Sequence, residues 1–170
     1  MRVLIGVIGS SKAVEPAQVL AYALGREIIR AGYSLICGGL GGIMESVCRG
    51  AHDEAGSSSG RIIGLLPGTM KNEANPYVDI VITTGMGYAR NMIIACSSDA
   101  VIAVSGESGT LSEIAMAWNY GKPIIVMEGL PGITAQLIGG SLDIQKGRKR
   151  IEGAKDAREA IALIKRLLAP

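Results

Sequence analysis

The 170-residue chain has 48% hydrophobic and 19% charged residues, a formal charge of +2 and a single histidine, His52. That length suits one α/β domain, residues 1–170, with a sizeable core, and the charge is too small for a nucleic-acid surface. One histidine excludes a histidine-based triad or a multi-histidine metal site, and Cys37, Cys48 and Cys96 have neither disulfide nor zinc spacing, so a reducing cytosol is expected.

The N-terminal MRVLIGVIG is broken by glycine and followed by a polar loop, unlike a signal sequence or a membrane span. Val3 to Ile8 reads as a buried strand. Gly9, Ser10, Ser11 and Lys12 then form a loop before a helix from Glu15 or Pro16 to Arg30, striped by Leu20, Ala23, Leu24, Ile28 and Ala31. A helix that starts from such a loop presents unpaired N–H groups and the positive end of its dipole, an anion site to which Lys12 adds a point charge. An ordinary turn with an exposed lysine is the alternative.

Tyr33 to Cys37 is the second strand, followed by Gly38, Gly39, Leu40, Gly41 and Gly42 and a helix with Ile43, Val47, Ala51 and Ala55 on one face. A dinucleotide site would need G-x-G-x-x-G after the first strand and an acidic residue ending the second. Neither is present, so the glycine run reads as a place where a ligand approaches the backbone, or as a tight turn. Arg61 to Leu66 is a third strand, Thr69 to Asp79 a polar loop and Ile80 to Thr83 a short strand. Thr84, Gly85, Met86 and Gly87 lead into a helix from Tyr88 to Ser98, which puts Arg90 in its first turn. A cation there opposes the macrodipole and calls for a partner such as Glu113, Glu107 or a bound phosphate.

Ala100 to Val104 is an unbroken apolar strand, and Leu111, Ile114, Ala115 and Trp118 recur at helical spacing after it. Between them, Gly106, Glu107, Ser108, Gly109 and Thr110 form the chain's clearest anion loop. Thr110-Leu111-Ser112-Glu113 is also a capping box, which would make Glu113 purely structural. Ile124 to Met127 is a strand, residues 130–140 are irregular or briefly helical, Lys149 to Ile151 is a last short strand, and Ala157 to Leu168 is a closing amphipathic helix. The basic cluster Arg148, Lys149 and Arg150 reads as a solvated face. With 4% aromatic residues and no Phe, the core must be aliphatic, with Trp118 in it. Alternating strands and helices imply a doubly wound, mainly parallel, Rossmann-like sheet with helices on both faces. The glycine loops after Ile8, Cys37, Thr84 and Val104 then share its carboxyl edge, where ligands bind.

Gly38-Gly39-Leu40-Gly41-Gly42-Ile43-Met44 resembles the G-G-x-x-G-x-M segment of a Rossmann-like superfamily. Its members are the Lonely Guy phosphoribohydrolases, the so-called lysine decarboxylases and the molybdenum-cofactor carrier proteins. Ser105 to Glu113 is similar to that superfamily's P-G-G-x-G-T-x-x-E motif, and Arg90 falls where it carries an arginine. Ser105 replaces the motif's proline, Glu107 its second glycine, and Asn91 the lysine usual in the hydrolases, so the chain looks most like the carrier-like branch. The resemblance implies a phosphorylated small-molecule ligand, either a nucleotide or a pterin-type cofactor such as molybdenum cofactor, with no nucleic acid and no membrane as partner. It also implies the alternative of a cofactor-independent hydrolase that splits nucleoside 5′-monophosphates into base and ribose 5-phosphate with Arg90 and Glu113.

Met92, Ile93, Ile94, Ala95 and Cys96, with Met116 on the next helix, spread apolar residues beyond one face. A homodimer, or a tetramer built from dimers, is therefore expected.

Overall fold

Strands that are apolar at every position must be covered on both faces, and the computed structural model, which describes residues 2–56, 58–143 and 150–169, shows such a sheet. Its elements run β1 Leu4–Gly9, α1 Glu15–Arg30, β2 Ser34–Cys37, α2 Ile43–Ala55, β3 Ile62–Leu66, β4 Ile80–Thr83, α3 Asn91–Ser97, β5 Ala100–Val104, α4 Ser108–Asn119, β6 Ile124–Met127, β7 Glu152–Ala154 and α5 Ala157–Leu167. All neighbouring strands are parallel, in the order β4-β3-β2-β1-β5-β6-β7. The direction of winding therefore reverses between β1 and β5, which pair with Gly9 beside Val104.

Side-chain alternation divides the core into two layers. Ala100, Ile102 and Val104 of β5 face the layer that contains Leu24 and Ile28 of α1, Val47 of α2 and Ile164 of α5. Val101 and Ala103 face the other, with Ile94 of α3 and Ile114 and Trp118 of α4. Trp118 is buried, and its indole N–H donates to Asp143 at 3.0 Å. Among the described residues, no helix is long and apolar enough to cross a membrane.

Two elements differ from the sequence reading, and the brief helix expected within residues 130–140 is present. The segment read as one helix from Tyr88 to Ser98 is a 3-10 turn, Gly87–Arg90, followed by α3. Gly87 has φ of 55°, so the chain turns left-handed before Tyr88 and a regular helical start is not available there. The last strand lies at Glu152–Ala154 rather than at Lys149–Ile151; Lys149 and Arg148 fall outside the described residues. Residues 133–137 of the irregular stretch form a 3-10 turn.

Helices α1 and α2 pack backbone to backbone. A Cβ on Gly25 would overlap the carbonyl oxygen of Val47, and one on Gly50 that of Tyr22. Replacing Gly50 with Ala gains at most ~1 kcal/mol of helix propensity, whereas overpacking such a contact costs about 1–3 kcal/mol or more. Gly50→Ala should thus lower unfolding stability by about 2 kcal/mol in urea titration; unchanged or increased stability would contradict this packing.

Candidate functional site

The reversal of winding opens a cleft of ≈ 830 Å³ over the carboxyl ends of the strands. Four loops build its wall: Gly9, Ser10 and Ser11 at the end of β1, Gly38 and Leu40 after β2, Gly87, Tyr88, Arg90 and Asn91 after β4, and Glu107 to Thr110 after β5. Pro67 after β3 and Met44, Ser112 and Glu113 from α2 and α4 complete it.

At the base of the cleft, Arg90 Nη1 donates to Glu113 Oε1 at 3.3 Å. Both residues are buried, Arg90 with 9% and Glu113 with 6% of its surface exposed. Taking the carboxyl out of water pushes its pKa up to about 7, against the opposing pull of Arg90. Among the described residues, Arg90 Nε is buried and has no hydrogen-bond partner. A buried N–H without a partner costs roughly 1–3 kcal/mol, so packing alone does not account for the placement of this guanidinium. Gly38 makes room for it, since a Cβ there would overlap Arg90 Nη2.

The capping box expected at Thr110-Leu111-Ser112-Glu113 does not form. Helix α4 starts three residues earlier than a Thr110 cap requires, with Glu107 in the cap position and no side-chain capping bond. Thr110 is inside the first turn, and Glu113 turns to Arg90 instead. The first helical bond runs from Leu111 N–H to Glu107 O, which leaves Ser108, Gly109 and Thr110 with amides that have no intrahelical partner. All three line the cleft.

Ser105 explains part of this loop's path. Its φ is 58°, a value closed to proline, so the chain here follows a route that the superfamily's proline could not take. Ser105 Oγ donates to Pro131 O at 2.8 Å, and Gly106 O accepts from Ile133 N–H at 3.1 Å, which fixes the loop against the segment after β6.

The structure gathers Gly9, Ser10, Ser11, Gly38, Gly87, Arg90, Glu107, Ser108, Gly109, Thr110 and Glu113 into one wall. Lys12, Gly39, Gly41, Gly42, Gly85 and Gly106 lie outside that lining. Lys12 is exposed, and its loop is held by its N–H donating to Ser10 Oγ at 3.1 Å. Gly42 serves the protein's own packing: Ile43 N–H donates to Ser10 O at 3.0 Å, and a Cβ on Gly42 would come within 2.5 Å of that oxygen. The amide that begins α2 is thereby already occupied. Leu40, Met44, Pro67 and Tyr88 also line the cleft. Sequence reading missed them because an apolar lining residue has the same pattern as a core residue. Cys37 and Cys48, far apart in sequence, bring their sulfurs to 3.4 Å beneath the glycine turn, both as free thiols. The hydrogen bond from Cys48 lowers the pKa of Cys37, and that of Cys48 is raised well above its ordinary value by the same contact and by burial. Among the described residues, no group of three or more His, Cys, Asp or Glu could hold a metal ion.

Residues 2–161 match the SLOG cluster4 family. The chain belongs to that family. The molybdenum cofactor binding protein of Rippkaea orientalis is 34% identical and superposes with a TM-score of 0.85 over 99% of each chain. The molybdenum cofactor carrier protein of Chlamydomonas reinhardtii is 32% identical, with a TM-score of 0.79 over 100% of each chain. An uncharacterized protein of Archaeoglobus fulgidus is 45% identical over 74% of this chain and 84% of its own length. Asn91 of this SLOG cluster4 chain, at the position of the hydrolases' lysine, is buried and donates to Ser112 Oγ at 3.2 Å, joining α3 to α4.

Between pH 4.5, the ordinary value for Glu113, and about 7, the folded protein keeps a proton that the unfolded chain has released. Stability from neutral Glu113 is therefore present below pH 4.5 and lost as pH rises to about 7. Glu113→Gln cannot ionise, so its stability relative to wild type should improve across that window by on the order of 3 kcal/mol. A difference that stays constant with pH in urea titrations would contradict the burial of this carboxyl.

Proposed function

We propose that this SLOG cluster4 protein is a cytosolic carrier-like module that holds a phosphorylated nucleotide or pterin-type cofactor, molybdenum cofactor included, as cargo in the cleft. The observation that carries the reading is the convergence on one cavity of Ser108, Gly109 and Thr110, whose amides have no intrahelical partner, with Arg90 in the same wall. Similarity to proteins that bind and carry molybdenum cofactor supports the cargo class. Charge balance supports a backbone-held anion: among the described residues, Arg90 is the one cationic side chain in the wall, against Glu107 and Glu113. The phosphate is then held by oriented amides and the helix dipole, with Arg90 as the single charged donor. Asn91 in place of lysine removes a second cation, which favours holding over hydrolysis. The three free thiols fit a reducing compartment.

One observation favours a second reading. A buried carboxyl with its pKa near 7 in the cleft is suited to proton transfer, so Glu113 would assist N-glycosidic cleavage of a nucleoside 5′-monophosphate if one is bound. In either case the module is a homodimer or a tetramer of dimers. Met92 and Tyr120 are 43% and 48% exposed on the α3–α4 side, an apolar surface that a second copy would cover, and light scattering that returns a monomer mass would exclude this.

Calorimetry with AMP, ribose 5-phosphate and molybdenum cofactor tests the carrier reading. Binding of at least one is expected, without release of free adenine from AMP; no binding of any at millimolar concentration would overturn the proposal. Adenine release by wild type that Glu113→Gln abolishes would establish the hydrolase instead. Glu107 sets a quantitative expectation. At a separation on the order of 6 Å in bulk-water dielectric, a carboxylate repels a phosphate dianion by about 1.4 kcal/mol, so Glu107→Gln should tighten phosphate binding about tenfold.

A further inference from the structure

The chain has five tyrosines and one tryptophan, and only Tyr88 lines the cleft. It is 85% exposed, the most exposed large apolar side chain among the described residues. The other aromatic residues lie elsewhere: Tyr22 donates to Asp53 and lies under Arg49, Tyr33 packs against the core, Tyr77 packs edge-on against His52, Trp118 is in the core, and Tyr120 is exposed outside the cleft lining. Tyr88 makes no hydrogen bond or ring contact among the described residues. An exposed aromatic on a frayed loop would need no explanation, but this loop is fixed. Gly85 N–H donates to Gly68 O and Gly87 N–H to Pro67 O, both at 3.0 Å, and Met86 N–H donates to Thr84 Oγ1 at 3.2 Å. Gly85 and Gly87 have φ of 64° and 55°. A Cβ on Gly87 would meet nothing within 4 Å, so this glycine is needed for its left-handed backbone and not for space. The turn thus holds Tyr88 at the rim while Arg90, two residues on, reaches the base.

The cleft wall is also divided along the sheet. Leu40, Met44, Pro67 and Tyr88 belong to the β2–β3–β4 side, and the free amides of Ser108 to Thr110 stand at the end of β5, across the β1 position. The β2–β4 side carries the apolar and aromatic side chains together with Arg90 and Asn91, and the β5 side carries the row of free amides. We infer that the cleft takes a phosphorylated ligand with a planar heteroaromatic ring, and that Tyr88 stacks on the ring while the α4 amides hold the phosphate. This rests on the carrier-like reading for the phosphate and adds a seat for the ring. Aromatic stacking needs no specific edge contact and is sensitive to loss of the π face.

The test compares a ligand that has a ring with one that lacks it. By calorimetry, Tyr88→Ala should weaken AMP about tenfold or more and leave ribose 5-phosphate within twofold of wild type, and Tyr88→Phe should retain AMP binding. Equal weakening of both ligands, or unchanged AMP binding, would overturn the ring seat while the phosphate site stands. Wild-type protein that binds neither ligand would overturn both. Light scattering on the same samples adds a structural control: if Tyr88→Ala converts an oligomer to monomers and AMP affinity follows the mass, Tyr88 is an interface residue and the ring seat is wrong.

Discussion

A charged pair buried under the point where the sheet reverses its winding is the constraint that organises this molecule. Arg90 and Glu113 meet at 3.3 Å with almost no exposure, and burying two ions costs several kcal/mol per ion before their attraction repays any of it. Such a pair is weak evidence for stability, because apolar residues of similar volume would serve a core as well. Its surroundings are nevertheless fitted to it. Gly38 clears space for the guanidinium, the left-handed Gly87 starts the turn that delivers Arg90, and Asn91 ties α3 to α4 beside it. The Nε left without a partner and a carboxyl with a pKa near 7 are the consequences, and both face the chemistry of a ligand more naturally than that of a core.

Around this pair, the backbone supplies what side-chain charge does not. The cleft wall is close to neutral in side-chain charge, so its attraction for the proposed anionic ligand would come from amides that the fold leaves unpaired. The loop after β5 presents them because Ser105 turns left-handed and Gly106 is fastened to the Gly132 region, which starts α4 at Ser108 with no side chain capping it. The equivalent amide at the start of α2 is consumed by Ser10 O. Two loops of similar composition therefore have different tasks: one packs the scaffold, and the other stays open to the cleft. Glu107 beside the open one tempers its positive field.

Much of this was legible in the sequence. Ala100–Val104 and Ile124–Met127 are strands with the bounds that their apolar runs imply, because interior parallel strands buried on both faces leave little room for ambiguity, and the edge strand Ile80–Thr83 keeps its expected bounds although Ile80 and Ile82 are exposed. Arg90 was marked by its conflict with a helix dipole, and Glu113 was among its possible partners. The capping box failed because T-x-x-E is a local pattern, and a tertiary ion pair competes for the same glutamate. Gly42 and Gly109 look alike in sequence, since a glycine open to a cleft and one that admits the neighbouring backbone differ only in what stands opposite. Tyr88 gave no periodic signal at all; its meaning comes from a turn geometry that only the fold reveals.

The account depends most directly on the amides of Ser108, Gly109 and Thr110 holding the phosphate. Backbone amide NMR during titration with ribose 5-phosphate would follow each of them individually. The account predicts saturable shifts that are largest at these three amides and at Arg90 Nε. Shifts centred on Lys12 or the outer surface, with Ser108 to Thr110 unmoved, would contradict it.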